Sequence, residues 1–144
     1  MINEDYVSFE TAKLLKEKGF PQSTSVCNTV YKPNGYISNN AKSFIAPNYI
    51  YKDVYVFAPT LQMAMKWLRE VHGLHISLEP CYDYDSMHVV FLAFVQNVAD
   101  VHEFMDGRKN VASYPNAEKS CELAIKYCLE NLPTPPANKQ FIKL

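Results

Sequence analysis

HVVFLAFVQ, residues His88–Gln96, runs seven apolar residues from Val89 to Val95 without polar alternation. A strand with one wet face alternates apolar and polar residues, and a strand covered on both faces does not. The stretch therefore predicts the central, doubly covered strand of a sheet. It is also the longest apolar run in the chain, far short of the ~20 residues that a membrane-crossing helix requires.

Outward from this strand, His75–Cys81 reads as its hairpin partner, joined to it by a polar turn over Tyr82–Met87. Before that lies the clearest helix. Leu61, Ala64, Met65, Leu68 and Val71 recur at helical spacing, Thr60 stands at the cap position after Pro59, and Gly73 supplies the stop. Residues 97–105 fit no pattern cleanly, 106–110 read as a turn, and Val111–Tyr114 as a short strand. Asn116 caps a further helix to Leu132, with Ala117, Cys121, Ala124, Ile125, Cys128 and Leu129 as its inward stripe and Pro133 as its stop.

Near the start, Ser8 caps a helix through Lys18, Val7 and Ala12 occupy hydrophobic-staple positions, and Gly19 ends it. Between Phe20 and Pro47, prolines, Gly35 and the Asn39-Asn40 pair punctuate the chain like turns, leaving Val26–Tyr31 as one strand. Tyr49–Ala58 is a second, rich in β-branched and aromatic residues.

These elements predict an α+β domain over residues 1–132, with three helices packed on a mixed, mainly antiparallel sheet in the order α-ββ-α-ββ(β)-α. Residues 133–144 read as an extended C-terminal tail. The similar runs Ala64-Met65-Lys66-Trp67 and Ala124-Ile125-Lys126-Tyr127 hint at an internal ββα duplication, although helix packing alone selects such residues.

Composition narrows the function classes. The net charge of −1 gives no global field towards phosphate backbones or anionic lipid. The acidic start Glu4-Asp5 lacks the basic and apolar blocks of a secretion signal, and cytoplasmic localisation is expected, with no membrane partner. Cys27, Cys81, Cys121 and Cys128 form no C-x-x-C pair, so all four are expected to be reduced and mostly buried thiols. Cys121 and Cys128 fall two helical turns apart, roughly 10 Å, beyond disulfide reach.

FETAKLLKEKGF at Phe9–Phe20, PTLQMAMKWLREVHGLHI at Pro59–Ile76 and AIKYCLENL at Ala124–Leu132 together resemble a group of small uncharacterised proteins common in gut anaerobic bacteria, their prophages and mobile elements. The resemblance covers the helices and misses the strands. It implies context only, an accessory protein of phage or mobile-element type, and carries no activity or site residue.

Three sets of residues are candidates for a site. Glu79, Cys81, Asp83, Asp85 and His88 are the most metal-like cluster, because alternate strand positions at a hairpin tip can converge; no known ligand spacing is matched, and acidic residues belong in solvated turns anyway. His72 and His75 bracket Gly73, but a histidine at a helix C-terminus is already favoured by the helix dipole. The third set is the strand Tyr49, Tyr51, Tyr55 and Phe57 with Lys52. Its alternate rings could stack on bases or hold a peptide, or could simply pack under a helix. No phosphate-cradling loop or H-E-x-x-H zinc helix is present, and no cofactor is implied. The expected function is a non-enzymatic accessory or interaction protein, with a protein partner or a homodimer; the alternatives are nucleic-acid binding by the aromatic strand and a cryptic metal-dependent hydrolase.

Overall fold

The computed structural model describes residues 4–39 and 55–133. The protein is of α+β class, with four helices and two three-stranded sheets among these residues, and it divides into two compact units. One comprises residues up to Thr60 together with the chain from Leu132, and the other comprises Leu61–Asn131. Every strand pair among the described residues is antiparallel, as the mainly antiparallel expectation has it, but the strands form two sheets where one was expected.

In the first unit, α1 (Phe9–Glu17) follows Ser8, whose hydroxyl accepts from the Thr11 amide at 3.2 Å. Val7, Thr11, Ala12 and Leu15 are buried, and Lys18 Nζ donates to the Leu132 carbonyl at 2.6 Å. The strands β1 (Val30–Tyr31), β2 (Ile37–Ser38) and β3 (Val56–Phe57) lie in the order β2-β1-β3, and β2 has no counterpart among the predicted strands. Of Tyr49–Ala58, the described residues 55–58 form strand at Val56–Phe57. Val26–Tyr31 is ordered as a strand only at its last two residues, and 49–54 lie outside the described residues.

The second unit opens with α2 (Leu61–His72), which buries Leu61, Ala64, Trp67 and Leu68 along one stripe. Gly73 ends it at φ 66°, a left-handed conformation that costs an L side chain ~1 kcal/mol or more. A methyl group at this position would also overlap Ala99 Cβ, so glycine is required twice over. The chain then forms a long hairpin, β4 (Leu74–Asp83) and β5 (His88–Asn97), in unbroken register from Leu74↔Asn97 to Asp83↔His88. The stretch left without a pattern contains α3 (Val101–Met105), capped by the Asp100 carboxylate through the amides of His102 and Glu103. Next come β6 (Lys109–Tyr114), which begins inside the predicted turn, and α4 (Ala117–Glu130), capped by Asn116 through the Lys119 amide at 2.9 Å.

Strand order β4-β5-β6 makes β5 central, as its sequence predicts. Alternation along the strands puts Ile76, Ala93, Val95, Ala112 and Lys109 on one face. That face meets α4, because Lys109 Nζ donates to the Tyr127 hydroxyl at 2.9 Å and Ala93 and Ala112 are buried beside it. Helix α4 contacts all three strands, and α2 lies against α4 and β4. The opposite face carries Ser77, Glu79, Leu92, Phe94 and Gln96, all half-buried. Val90 on that face is buried, so β5 is covered by α4 on one face and partly covered on the other, where the unbroken apolar run predicted cover on both.

A serine binds α4 to the sheet. Ser120 is fully buried, accepts a hydrogen bond from the Tyr114 amide at 3.0 Å and donates one to the Phe91 carbonyl at 2.7 Å. Phe91 and Tyr114 are register partners, so the hydroxyl bridges the last rung of the β5–β6 ladder. The two sheets place different strands at their centres, the first strand in one and the second in the other.

Candidate functional site

The β4–β5 hairpin ends in four loop residues, and its tip is apolar rather than polar. Tyr82, Tyr84, Met87 and Val89 are 44, 81, 67 and 50% exposed, a close group of solvent-facing large apolar side chains. Tyr82 and Val89 are register partners and share a face. The Tyr82 and Tyr84 rings meet edge-on with centroids 4.9 Å apart, and the Tyr82 hydroxyl donates to Met87 Sδ at 3.6 Å.

Asp83 holds this arrangement in place. Its carboxylate accepts from the Asp85 amide at 3.2 Å and from the Ser86 hydroxyl at 2.8 Å, and these bonds keep it below the usual carboxylate range. The loop closes through Met87, whose amide donates to the Asp83 carbonyl at 2.8 Å. Met87 sits at φ 61°, the one non-glycine residue in the left-handed region among the described residues. Strain of this kind is kept where the surrounding structure fixes it and commonly marks a functional segment.

A second exposed apolar group, Val98, Val101, Phe104 and Met105, lies at the other end of the hairpin on and before α3. The Asn97 side chain donates to Glu103 and Gln96 Nε2 to the Phe104 carbonyl, which tie α3 to the end of β5.

The metal-like residues take separate roles. Glu79 forms a bidentate ion pair with Arg108, whose guanidinium lies 3.9 Å from the Phe94 ring centroid; that pairing holds the Glu79 carboxyl down and the Arg108 group up. Asp83 and His88 face each other across the hairpin, Asp85 stands in the loop, and Cys81 is exposed on β4. Among the described residues no group of three or more His, Cys, Asp or Glu side chains is placed to hold a metal ion.

His72 packs its ring edge-on against Trp67 at 4.7 Å between centroids, and burial lowers its pKa from the ordinary value of 6.5. The helix dipole expected to favour its charge is outweighed by desolvation, and no buried partner meets Nε2. Burial pushes the Cys121 and Cys128 thiols up to about 12, with Glu122 and Glu118 adding to the effect at Cys121. Cys27 is raised as well, chiefly by burial.

Of the aromatic strand, Tyr49, Tyr51 and Lys52 lie outside the described residues. Phe57 is buried in a cluster with Val30, against which Cys27 and Tyr55 pack, so the described half of the stripe belongs to the core. The hairpin tip was missed because apolar residues interleaved with Asp83, Asp85 and Ser86 read as a turn. One signal could have found it: residues 71–107 contain no Lys or Arg, yet hold Glu79, Asp83, Asp85, Asp100, Glu103 and Asp106.

No helix among the described residues is long and apolar enough to cross a membrane. Comparison with protein-family models, curated proteins and solved structures finds no match.

Proposed function

We propose that this chain is a non-enzymatic interaction protein, an accessory protein of phage or mobile-element type, that binds another protein through the tip of its β4–β5 hairpin. The observation that carries the reading is the exposed cluster of Tyr82, Tyr84, Met87 and Val89 on a fixed loop. Soluble domains seldom leave such side chains grouped in water unless a partner covers them, and Tyr and Met are enriched in interface cores. Preorganisation by Asp83 reduces the ordering cost of binding. The chemistry on offer supports recognition over catalysis: burial pushes the Cys27, Cys121 and Cys128 thiols away from the reactive thiolate.

A photo-crosslinking residue placed at position 84 tests this directly in producing cells. A discrete protein adduct from position 84, and none from the solvent-facing position 17 on α1, is the expected result. An empty lane at 84, or an adduct that nuclease digestion removes, refutes it; the second outcome would favour nucleic-acid binding.

A further inference from the structure

Resting on that reading, we infer that the partner presents a cationic amphipathic segment, apolar side chains flanked by Lys or Arg, to the hairpin tip. The tip is an apolar patch with an acidic rim. Asp83 and Asp85 alternate with Tyr82, Tyr84 and Met87, and both carboxylates lie within two residues of a ring. Within the hairpin only His88, the register partner of Asp83, stands against them, because residues 71–107 hold six carboxylates and neither Lys nor Arg. Glu79 alone of the six is paired, with Arg108.

Charge of one sign around an apolar centre selects its complement. A phosphate backbone or an anionic lipid surface meets repulsion at Asp83 and Asp85. A second copy docking tip to tip would bring like carboxylates together around the shared apolar centre, which opposes a homodimer through this surface. A segment with apolar residues and flanking Lys or Arg satisfies both parts, the rings and Met87 taking the apolar side chains and the two aspartates the cations. Met87 is suited to this, since its unbranched thioether adapts to varied shapes.

The probe is a fluorescein-labelled helical peptide of Leu and Lys, compared with a Glu-for-Lys version of identical apolar spacing, by anisotropy on the full chain. The Lys peptide is expected to bind in the micromolar range and the Glu peptide at least about tenfold more weakly. Affinity for the Lys peptide should fall about tenfold between roughly 50 and 300 mM salt. Tyr84→Ser with Met87→Ser, both exposed, should abolish binding while far-ultraviolet circular dichroism stays unchanged. Asp85→Asn should weaken it about threefold to fivefold, and Asp106→Asn, beyond the far end of the hairpin, should leave it unaltered.

Equal binding of the two peptides, or equal losses for Asp85→Asn and Asp106→Asn, overturns the inference, as does sedimentation showing self-association that Tyr84→Ser abolishes. If the Lys peptide fails while position 84 still crosslinks to a protein, the inference falls and the interaction reading stands. If both fail, both fall.

Discussion

Replacing Ser120 with alanine removes a single oxygen that two backbone groups depend on. The Tyr114 amide donates to Ser120 Oγ at 3.0 Å and Oγ donates to the Phe91 carbonyl at 2.7 Å, with the serine, itself on α4, fully buried. A buried backbone group left without a partner costs about 1–3 kcal/mol. Two such groups set a range of about 2–6 kcal/mol. Alanine recovers roughly 0.5 kcal/mol as the better helix former, and partial closure of the β5–β6 rung recovers more. A net loss of about 2–4 kcal/mol is therefore expected. With an m-value of about 1.5 kcal/mol/M, the urea midpoint of the transition that reports α4 and the sheet should fall by about 1.3–2.7 M. Hydrogen exchange adds a site-specific readout, because the Tyr114 amide should exchange faster in the variant than the rest of β6. Ser113→Ala, exposed on the same strand, is the control and should change little. A loss for Ser120→Ala below about 0.5 kcal/mol, with Tyr114 protection unchanged, would refute the bridging role.

Gly73→Ala should destabilise by about 2 kcal/mol or more, since it combines left-handed strain with overlap on Ala99, and solvent melts of the purified variant measure it. His72, whose pKa is lowered by burial, is neutral in the fold while the unfolded chain takes up a proton near the ordinary value of 6.5. Stability should thus be full above pH 6.5 and decline as the pH falls from there towards the lower folded-state value, and His72→Gln should flatten that decline. The edge-on contact with Trp67, the only tryptophan in the chain, lets intrinsic fluorescence follow the same titration. Native protein should show one rapidly alkylated thiol, exposed Cys81, while Cys121 and Cys128 react only on unfolding; mass mapping of the labelled cysteines decides it.

What could be read from the chain followed how strongly each residue's neighbours repeat its message. Helices α2 and α4 were legible because Leu61, Ala64 and Leu68, and Cys121, Ala124 and Cys128, recur at a period that only a helix buries, with Gly73 and Asn116 marking their ends. The central place of β5 was legible from a different signal, an apolar run from Val89 to Val95 with no alternation at period two. Its covering was not. Leu92 and Phe94 look as buried in sequence as Ala93, but the partial cover over Phe94 is the Arg108 guanidinium, an ion pair reaching back from beyond α3, and nothing local to Phe94 announces it. The alternation around Phe57 fits a displayed stripe and a packed one equally well, and only its packing with Val30 shows it in the core. β2 escaped notice because two residues, Ile37 and Ser38, offer too short a run to carry any period.

Under the proposed reading the partner meets the tip of the hairpin and not its side. Val98 donates its amide to the Gly73 carbonyl at 2.8 Å, one step beyond the Leu74↔Asn97 pair. Hydrogen-bonded pairs therefore fall on the odd-numbered residues of β4, and the backbone groups of Ile76, Leu78, Pro80 and Tyr82 point to the outer edge. A bare edge ten residues long would invite strand addition by any extended chain. Pro80 stands in the middle of that row without an amide hydrogen, at a position where β5 asks nothing of it. The edge is blunted while the apolar tip next to it is left open and held by Asp83. A blunted edge along β4 beside Tyr82, Tyr84 and Met87 left in water is the arrangement that the proposed contact, selected by side chains, requires.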